Sequence, residues 1–313
     1  MTARRALLDG LVDYAGLFPP AALPLDAALT TYADARAGAD AWMLSRFIVP
    51  AARLGDLVRS TDRDDAMALS VLGLGREDGV SWTDAALRTV EAARAVGSRR
   101  PGFVADRFEL RIGPDDVPAL DGGLAPLAAV LSAGPDGSAA ALEVPYLDVP
   151  SATEPVAAFV ADANGRAGRD VFALKLRCGG VTADAFPAPE ALAAAVDAAR
   201  RAGVPFKATA GLHHPVRHAR ALGNGETAAM HGFVNLFGGA ALARTHGLDA
   251  DALAEVLDDS DPDRFELGDA LRWRSLTADG PDVAEARHAF ALSYGSCSFD
   301  EPTDDLRALG WLD

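Results

Sequence analysis

From about residue 25 onward the chain alternates short apolar runs with Ala-rich amphipathic stretches, and this alternation leaves few folds open to it. Strand-length apolar runs followed by helix-length amphipathic segments are the sequence form of repeated strand and helix units around a parallel sheet. Strands are predicted at roughly 42–49, 66–72, 107–112, 140–144, 171–177, 205–209, 232–236 and 289–294. Eight of them favour closure, so the expected fold class is α/β, a (β/α)8 barrel of the TIM type. The clearest helices are Trp82 to Val96, Glu154 to Ala163 and Pro189 to Ala202; the last two run into Gly165 and Gly203, residues suited to stopping a helix. Tyr14 to Pro20 reads as a Pro-rich entry segment whose Tyr14, Phe18 and prolines cover one barrel end. Residues 249–288 read as an acidic helical insertion before the last strand. No linker, repeat or low-complexity tract divides the sequence, which predicts one domain over 1–313.

Composition narrows the partners. The 313 residues carry 45 acids against 29 bases, a net charge of −16, with half the residues hydrophobic. Nucleic acid and anionic membranes both require clustered Lys and Arg, so neither is an expected partner, and no run of about 18 apolar residues predicts a membrane span. Arg4, Arg5, Asp9 and Asp13 interrupt the apolar stretch a signal peptide needs, and there are only two cysteines, Cys178 and Cys297, which points to the reducing cytoplasm. Self-association as a homo-oligomer stays open. Any anion bound by so acidic a protein must be met by a local group of bases.

Splitting each strand into its two faces brings out the chemistry, because successive side chains point to opposite sides. Phe172, Leu174 and Leu176 share one face, and Ala173, Lys175 and Arg177 the other. By the same alternation Glu109 and Arg111 lie opposite Phe108, Leu110 and Ile112, and Glu143 lies opposite Leu142 and Val144. Lys207 and Thr209 oppose Phe206 and Ala208, Asn235 opposes Val234 and Leu236, and Ser293 opposes Phe290 and Leu292. In a barrel one face packs on helices and the other lines the interior. The predicted interior thus holds Arg111, Lys175, Arg177 and Lys207 against Glu109 and Glu143, a positive mouth suited to a small anionic substrate, a carboxylate or a phosphate. Arg177, with its planar fork, is the expected anion clamp.

Of the 29 basic residues only Lys175 and Lys207 are lysines. Lysine can release its proton and attack a carbonyl, whereas arginine cannot, which makes the two survivors candidate catalytic residues. They are 32 residues apart, about one strand–helix–strand unit, so they are expected side by side on the fifth and sixth strands at the C-terminal mouth. Like charge and desolvation would then lower the pKa of one amine, and burial would raise Glu143 toward neutrality as the proton carrier. Carbinolamine, iminium and bond cleavage would follow, with no cofactor required; no dinucleotide-type glycine fingerprint opens a helix.

The segments Phe172-Ala-Leu-Lys175-Leu-Arg-Cys-Gly-Gly180 and Pro205-Phe-Lys207-Ala-Thr-Ala-Gly211 resemble the paired-lysine strands of class I aldolases of the deoxyribose-phosphate aldolase family. The resemblance spans about 40 residues. It implies a TIM barrel, a lyase acting through a Schiff base, Lys175 as the imine-forming residue and Lys207 as its assistant. In that family the pair stands on the sixth and seventh strands, with an aspartate on an earlier one.

Two rival readings use other residues. His213, His214 and His218 crowd the segment after the sixth predicted strand, and His213, His214 and Glu143 could serve a metal-dependent lyase or hydrolase; without a metal, His213 and His214 are substrate-binding candidates. A non-catalytic small-anion binding barrel would use both lysines as charge partners only. Gly179-Gly180 and Gly238-Gly239 are candidate anion nests, and Cys297 a candidate nucleophile.

Overall fold

In the computed structural model, residues 1–62, 66–75, 79–134, 137–144, 150–223 and 225–313 are described, the side chains of 150–152 excepted. Eight parallel strands close into a barrel. In chain order they are β1 (Val12–Tyr14), β2 (Leu44–Pro50), β3 (Met67–Leu72), β4 (Phe103–Arg111), β5 (Ala139–Val144), β6 (Phe172–Arg177), β7 (Phe206–Thr209) and, after five short antiparallel strands, β13 (Ala291–Ser296). The five are β8 (His218–Ala221) and β9 (Thr227–Met230), a hairpin, and β10 (Phe265–Leu267), β11 (Leu271–Trp273) and β12 (Leu276–Ala278), a small sheet. The fold is the (β/α)8 TIM barrel that the alternating pattern implies.

Two strand assignments change. The run 232–236 is not a strand but opens the helix Phe233–His246, in which Phe233 to Ala243 are all buried. A helix that is apolar all round lacks the amphipathic period, and a window of five residues in it looks like a buried strand. The first barrel strand is instead Val12–Tyr14, three buried residues that end where the entry segment Tyr14 to Pro20 begins. The paired lysines therefore stand on the sixth and seventh barrel strands, not the fifth and sixth. The insertion 249–288 is only partly helical: β10 to β12 lie between the helices Ala250–Asp258 and Gly280–Ala289.

Local rules explain the elements that flank the mouth. Ser81 caps the helix Trp82–Arg99, its Oγ accepting from Asp84 N at 3.0 Å, and so fixes Trp82 at the first turn. The helix Pro189–Ala202 begins with Pro at its first position and ends at Gly203, whose φ of 66° is the left-handed closure glycine favours. On the outer face of β7, Phe206 stacks on Phe237 with centroids 5.8 Å apart and meets Phe290 edge-on at 5.0 Å. The apolar face thus packs on helices, which leaves Lys207 to the interior.

Candidate active site

One register row runs across four adjacent strands. Arg111 pairs in register with Glu143, Glu143 with Lys175, and Lys175 with Lys207, so β4 to β7 present these four side chains at one level. Both ammonium groups meet there on a shared carboxylate. Lys175 Nζ donates to Glu143 Oε2 at 2.6 Å and lies 2.7 Å from Glu109 Oε2, an ion pair without hydrogen-bond alignment. Lys207 Nζ donates to Glu109 Oε1 at 2.5 Å and to Asp13 Oδ2 at 2.6 Å. Ser70 Oγ also donates to Glu109 Oε1, at 2.6 Å, and Ser293 Oγ to Asp13 Oδ2, at 2.7 Å. The second Asp13 oxygen accepts from the backbone of Arg46 at 3.0 Å. Asp13, Glu109, Glu143, Lys175 and Lys207 are all buried.

The electrostatics of this network differ from the expectation in sign. Three buried carboxylates face two ammonium groups, and Arg177, 40% exposed at the lip and 3.3 Å from Glu143 Oε1, brings the set to balance. The positive interior is thus corrected to a neutral one, because Asp13 joins it and Arg111 lies exposed at the rim. Burial alone would strip Lys175 of its proton, but Glu109 and Glu143 outweigh it and hold its pKa above the ordinary lysine value. Burial likewise pushes Glu143 up, and Lys175 and Arg177 more than reverse it, so its carboxyl lies below the usual range, not near neutrality. Asp13 and Glu109 follow the same pattern, with the lysines overriding desolvation. The expected depression of a lysine by its neighbour therefore does not occur in the resting site: Glu109 lies between the two charges and cancels their repulsion.

A cavity of about 760 Å³ opens above the network. Lys175, Glu109, Glu143, Arg111, Arg177, Thr209 and His213 line it; Lys207, Asp13 and Ser293 do not, and stand behind Lys175. Ser293, expected at the substrate, instead orients Asp13. Phe18, Pro19 and Pro20 of the segment after β1 form part of the wall. Compared with known proteins, the chain matches no family model and none of the curated sequences.

Other sequence-derived candidates are placed elsewhere. Asn235 lies in the buried helix Phe233–His246, where it donates to the carbonyls of Val256 and Asp259, both at 2.8 Å, and accepts from Arg217 N at 2.9 Å. It ties the Arg217 segment to the end of the helix Ala250–Asp258 and does not line the cavity described above. His214 pairs through Nδ1 with Asp305 and does not line the cavity, while His213 Nδ1 meets Glu301 Oε2 at 2.9 Å. The proposed metal set of His213, His214 and Glu143 is thus not assembled, and among the described residues no three His, Cys, Asp or Glu side chains form a metal-binding group. Gly179 and Gly211 approach backbone to backbone: a Cβ on either would lie 2.9 Å from the other's Cα, so the glycine pair serves close packing of the β6 and β7 loops. Gly238 and Gly239 are helical, with Gly239 against Leu253 and Val256, and form no nest. Burial raises the Cys297 thiol and pushes Cys178 up to about 12, away from nucleophilic thiolate character.

Sequence reasoning missed Asp13, Ser70 and Glu301. Asp13 carried a readable signal, an acid between Leu11-Val12 and Tyr14 with opposite-face alternation, in a run too short to stand out. Ser70 and Glu301 carried none, since a serine in a strand and a glutamate at a helix start are ordinary.

Proposed function

We propose that the protein is a lyase of the aldolase type, acting on a small anionic carbonyl compound through an imine on Lys175. The observation that carries this reading is the placement of Lys175 Nζ, at the floor of the cavity and bracketed by Glu143 and Glu109. Three features support it. Lys175 is the lysine at the cavity and Lys207 the one behind, which matches the division of roles that the aldolase resemblance implies. The pair occupies the sixth and seventh barrel strands, as in that family, and Asp13 supplies the aspartate on an earlier strand. The C-terminal mouth is also where TIM barrels carry their chemistry.

The steps balance as follows. Lys175 passes a proton to Glu143 over the 2.6 Å contact, and the neutral amine adds to the substrate carbonyl carbon. Glu143 returns the proton to the carbinolamine oxygen, which leaves as water and forms the iminium. Glu143, a carboxylate again, takes the proton of the substrate β-hydroxyl; the adjacent carbon–carbon bond breaks, the first product leaves as a carbonyl compound, and the electron pair of the broken bond moves into the iminium to give an enamine. Glu143 returns that proton to the enamine carbon, and water hydrolyses the resulting iminium to release the second product and restore the amine. Lys207 occupies the other oxygen of Glu109 and an oxygen of Asp13, so the Glu109 carboxylate is divided between the two lysines and its attraction for the Lys175 proton is reduced.

Borohydride reduction in the presence of small oxo acids and aldehydes tests the reading. Mass spectrometry is expected to find the reduced adduct on Lys175 and not on Lys207. Lys175→Arg keeps the charge but cannot form an imine, so it should abolish the adduct and lower turnover by at least about 10³-fold. Anion binding without any adduct in the wild-type protein would favour the non-catalytic binder instead.

A further inference from the structure

The cavity is divided. The β5 to β7 side carries Glu143, Lys175, Arg177, Thr209 and His213, whereas the other side is built from Leu72 at the end of β3, Leu74 just after it, Leu110 of β4, and Trp82, Ala85 and Ala86 on the first turns of the helix Trp82–Arg99. Apart from the Arg111 guanidinium at the rim, polar groups on that side have partners within the protein. Trp82 Nε1 donates to Arg111 O at 3.1 Å; Thr89 Oγ1 accepts from Leu74 N at 3.0 Å and donates to Ala85 O at 2.9 Å; Asp116 Oδ2 accepts from Gly113 N at 2.8 Å. A hydroxylated or phosphorylated chain placed there would lose water and find aliphatic carbon, an unfavourable exchange.

The rim sets the other end of the ligand. Arg111 is exposed at the cavity and pairs with no acid among the described residues, and Arg177 holds Glu143 by one contact at 3.3 Å. Lys175 and Arg177 occupy the two different oxygens of the Glu143 carboxylate, so a ligand carboxylate on Arg177 lies close to a carbonyl at Lys175. The volume of about 760 Å³ is in the range that encloses ligands much larger than a three-carbon acid.

We infer that the substrate is an oxo acid with a hydrocarbon or aromatic arm, its carboxylate on the arginine rim and its arm between Trp82, Leu74 and Leu110. The position of its carbonyl rests on the imine reading; the arm rests on the lining alone. The test uses two series: unbranched 2-oxo acids from pyruvate to 2-oxooctanoate, trapped with borohydride, and the carbonyl-free alkanoates from butanoate to octanoate, followed by calorimetry. Each added methylene should tighten both series by about fourfold until the arm fills the cavity. Ala85→Phe, which occupies this half, should remove at least tenfold from the longest members relative to the shortest. A steep alkanoate series without any adduct would keep the arm and overturn the imine. Adducts with a flat series, or tighter binding of a short phosphorylated polyol, would overturn the arm and leave the imine standing.

Discussion

At the N-terminal end of the barrel Arg287 is buried and spends its donors on backbone: Nε on Leu7 O at 2.8 Å, Nη2 on Asp9 O at 3.2 Å, and Nη1 on the carbonyls of Ala291 and Leu292. At the C-terminal end Lys175 and Lys207, just as buried, are held among the described residues by side-chain carboxylates alone, and Lys175 lines a cavity. Both arrangements satisfy a buried cation, and they differ in what can move. Carbonyls take no proton and belong to the chain path, so the Arg287 cluster is scaffold that joins the chain's start to its last barrel strand. Carboxylates can accept a proton and release it, so under the proposed reading the lysine cluster is the one that can exchange protons with a ligand. Burial of charge alone therefore does not mark the site; exchangeable partners beside a cavity do.

The contrast is broken most severely by Arg287→Leu, which takes a donor from up to four carbonyls at the barrel base, those of the buried Leu7 and Ala291 among them. A loss of about 3–4 kcal/mol in unfolding free energy is expected, read by denaturant titration, with kcat/KM per folded molecule unchanged. A fall in kcat/KM without a fall in stability would place Arg287 in the chemistry and erase the distinction.

How far the two ends were legible follows from the same contrast. The lysine row could be read because a charge on an otherwise apolar strand is conspicuous, and strand alternation assigns it a face: Lys175, Lys207, Glu109 and Glu143 all reach the interior together. Nothing local marks Arg287, which sits on a helix among ordinary charges and is buried by the closure of the barrel. Asn235 misled for the converse reason, because the all-apolar helix around it has no helical period to read. The barrel itself was legible from strand spacing, but its first strand was not, since three residues of Val12–Tyr14 make no pattern and depend on neighbours on both sides for their register. Signs of pKa shifts were the least legible, because they depend on which carboxylate falls between the lysines.

The lysine cluster can be probed through its proton. Moving the proton from Lys175 to Glu143 leaves the proton count of the pair unchanged, so kcat/KM should be flat with pH across the interval bounded by the two groups. Glu143 is held below the ordinary carboxylate range and Lys175 above the ordinary lysine value, so that interval runs from below about pH 4 to above about pH 10. Stability follows the same signs: the contribution of Asp13, Glu109 and Glu143 is present above their unfolded pKa and lost as pH falls through the folded one. That of Lys175 is present below its unfolded pKa and lost as pH rises through the folded one. Glu143→Gln removes one of the two carboxylates on Lys175 and leaves Glu109, which Lys207 and Ser70 already engage, so the Lys175 proton is released less readily; kcat/KM should drop about 10²-fold at neutral pH and then climb with pH. A variant that keeps the flat profile at reduced rate would show Glu143 to be a structural partner only.

The mildest change sharpens the comparison within the cluster itself. Ser293 Oγ shares Asp13 Oδ2 with Lys207 and does not reach the cavity, so Ser293→Ala removes one buried hydrogen bond on Asp13, itself three contacts away from Lys175. A cost of about 1 kcal/mol in stability is expected, since Asp13 keeps Lys207 and the Arg46 amide. Turnover should change less than about threefold if Lys207 is set by Glu109 and Asp13 together. A tenfold or greater fall in kcat with KM unchanged would mean that the orientation of Asp13 is transmitted through Lys207 and Glu109 to the reacting amine, making the chain of contacts behind Lys175 part of its tuning, not merely its support.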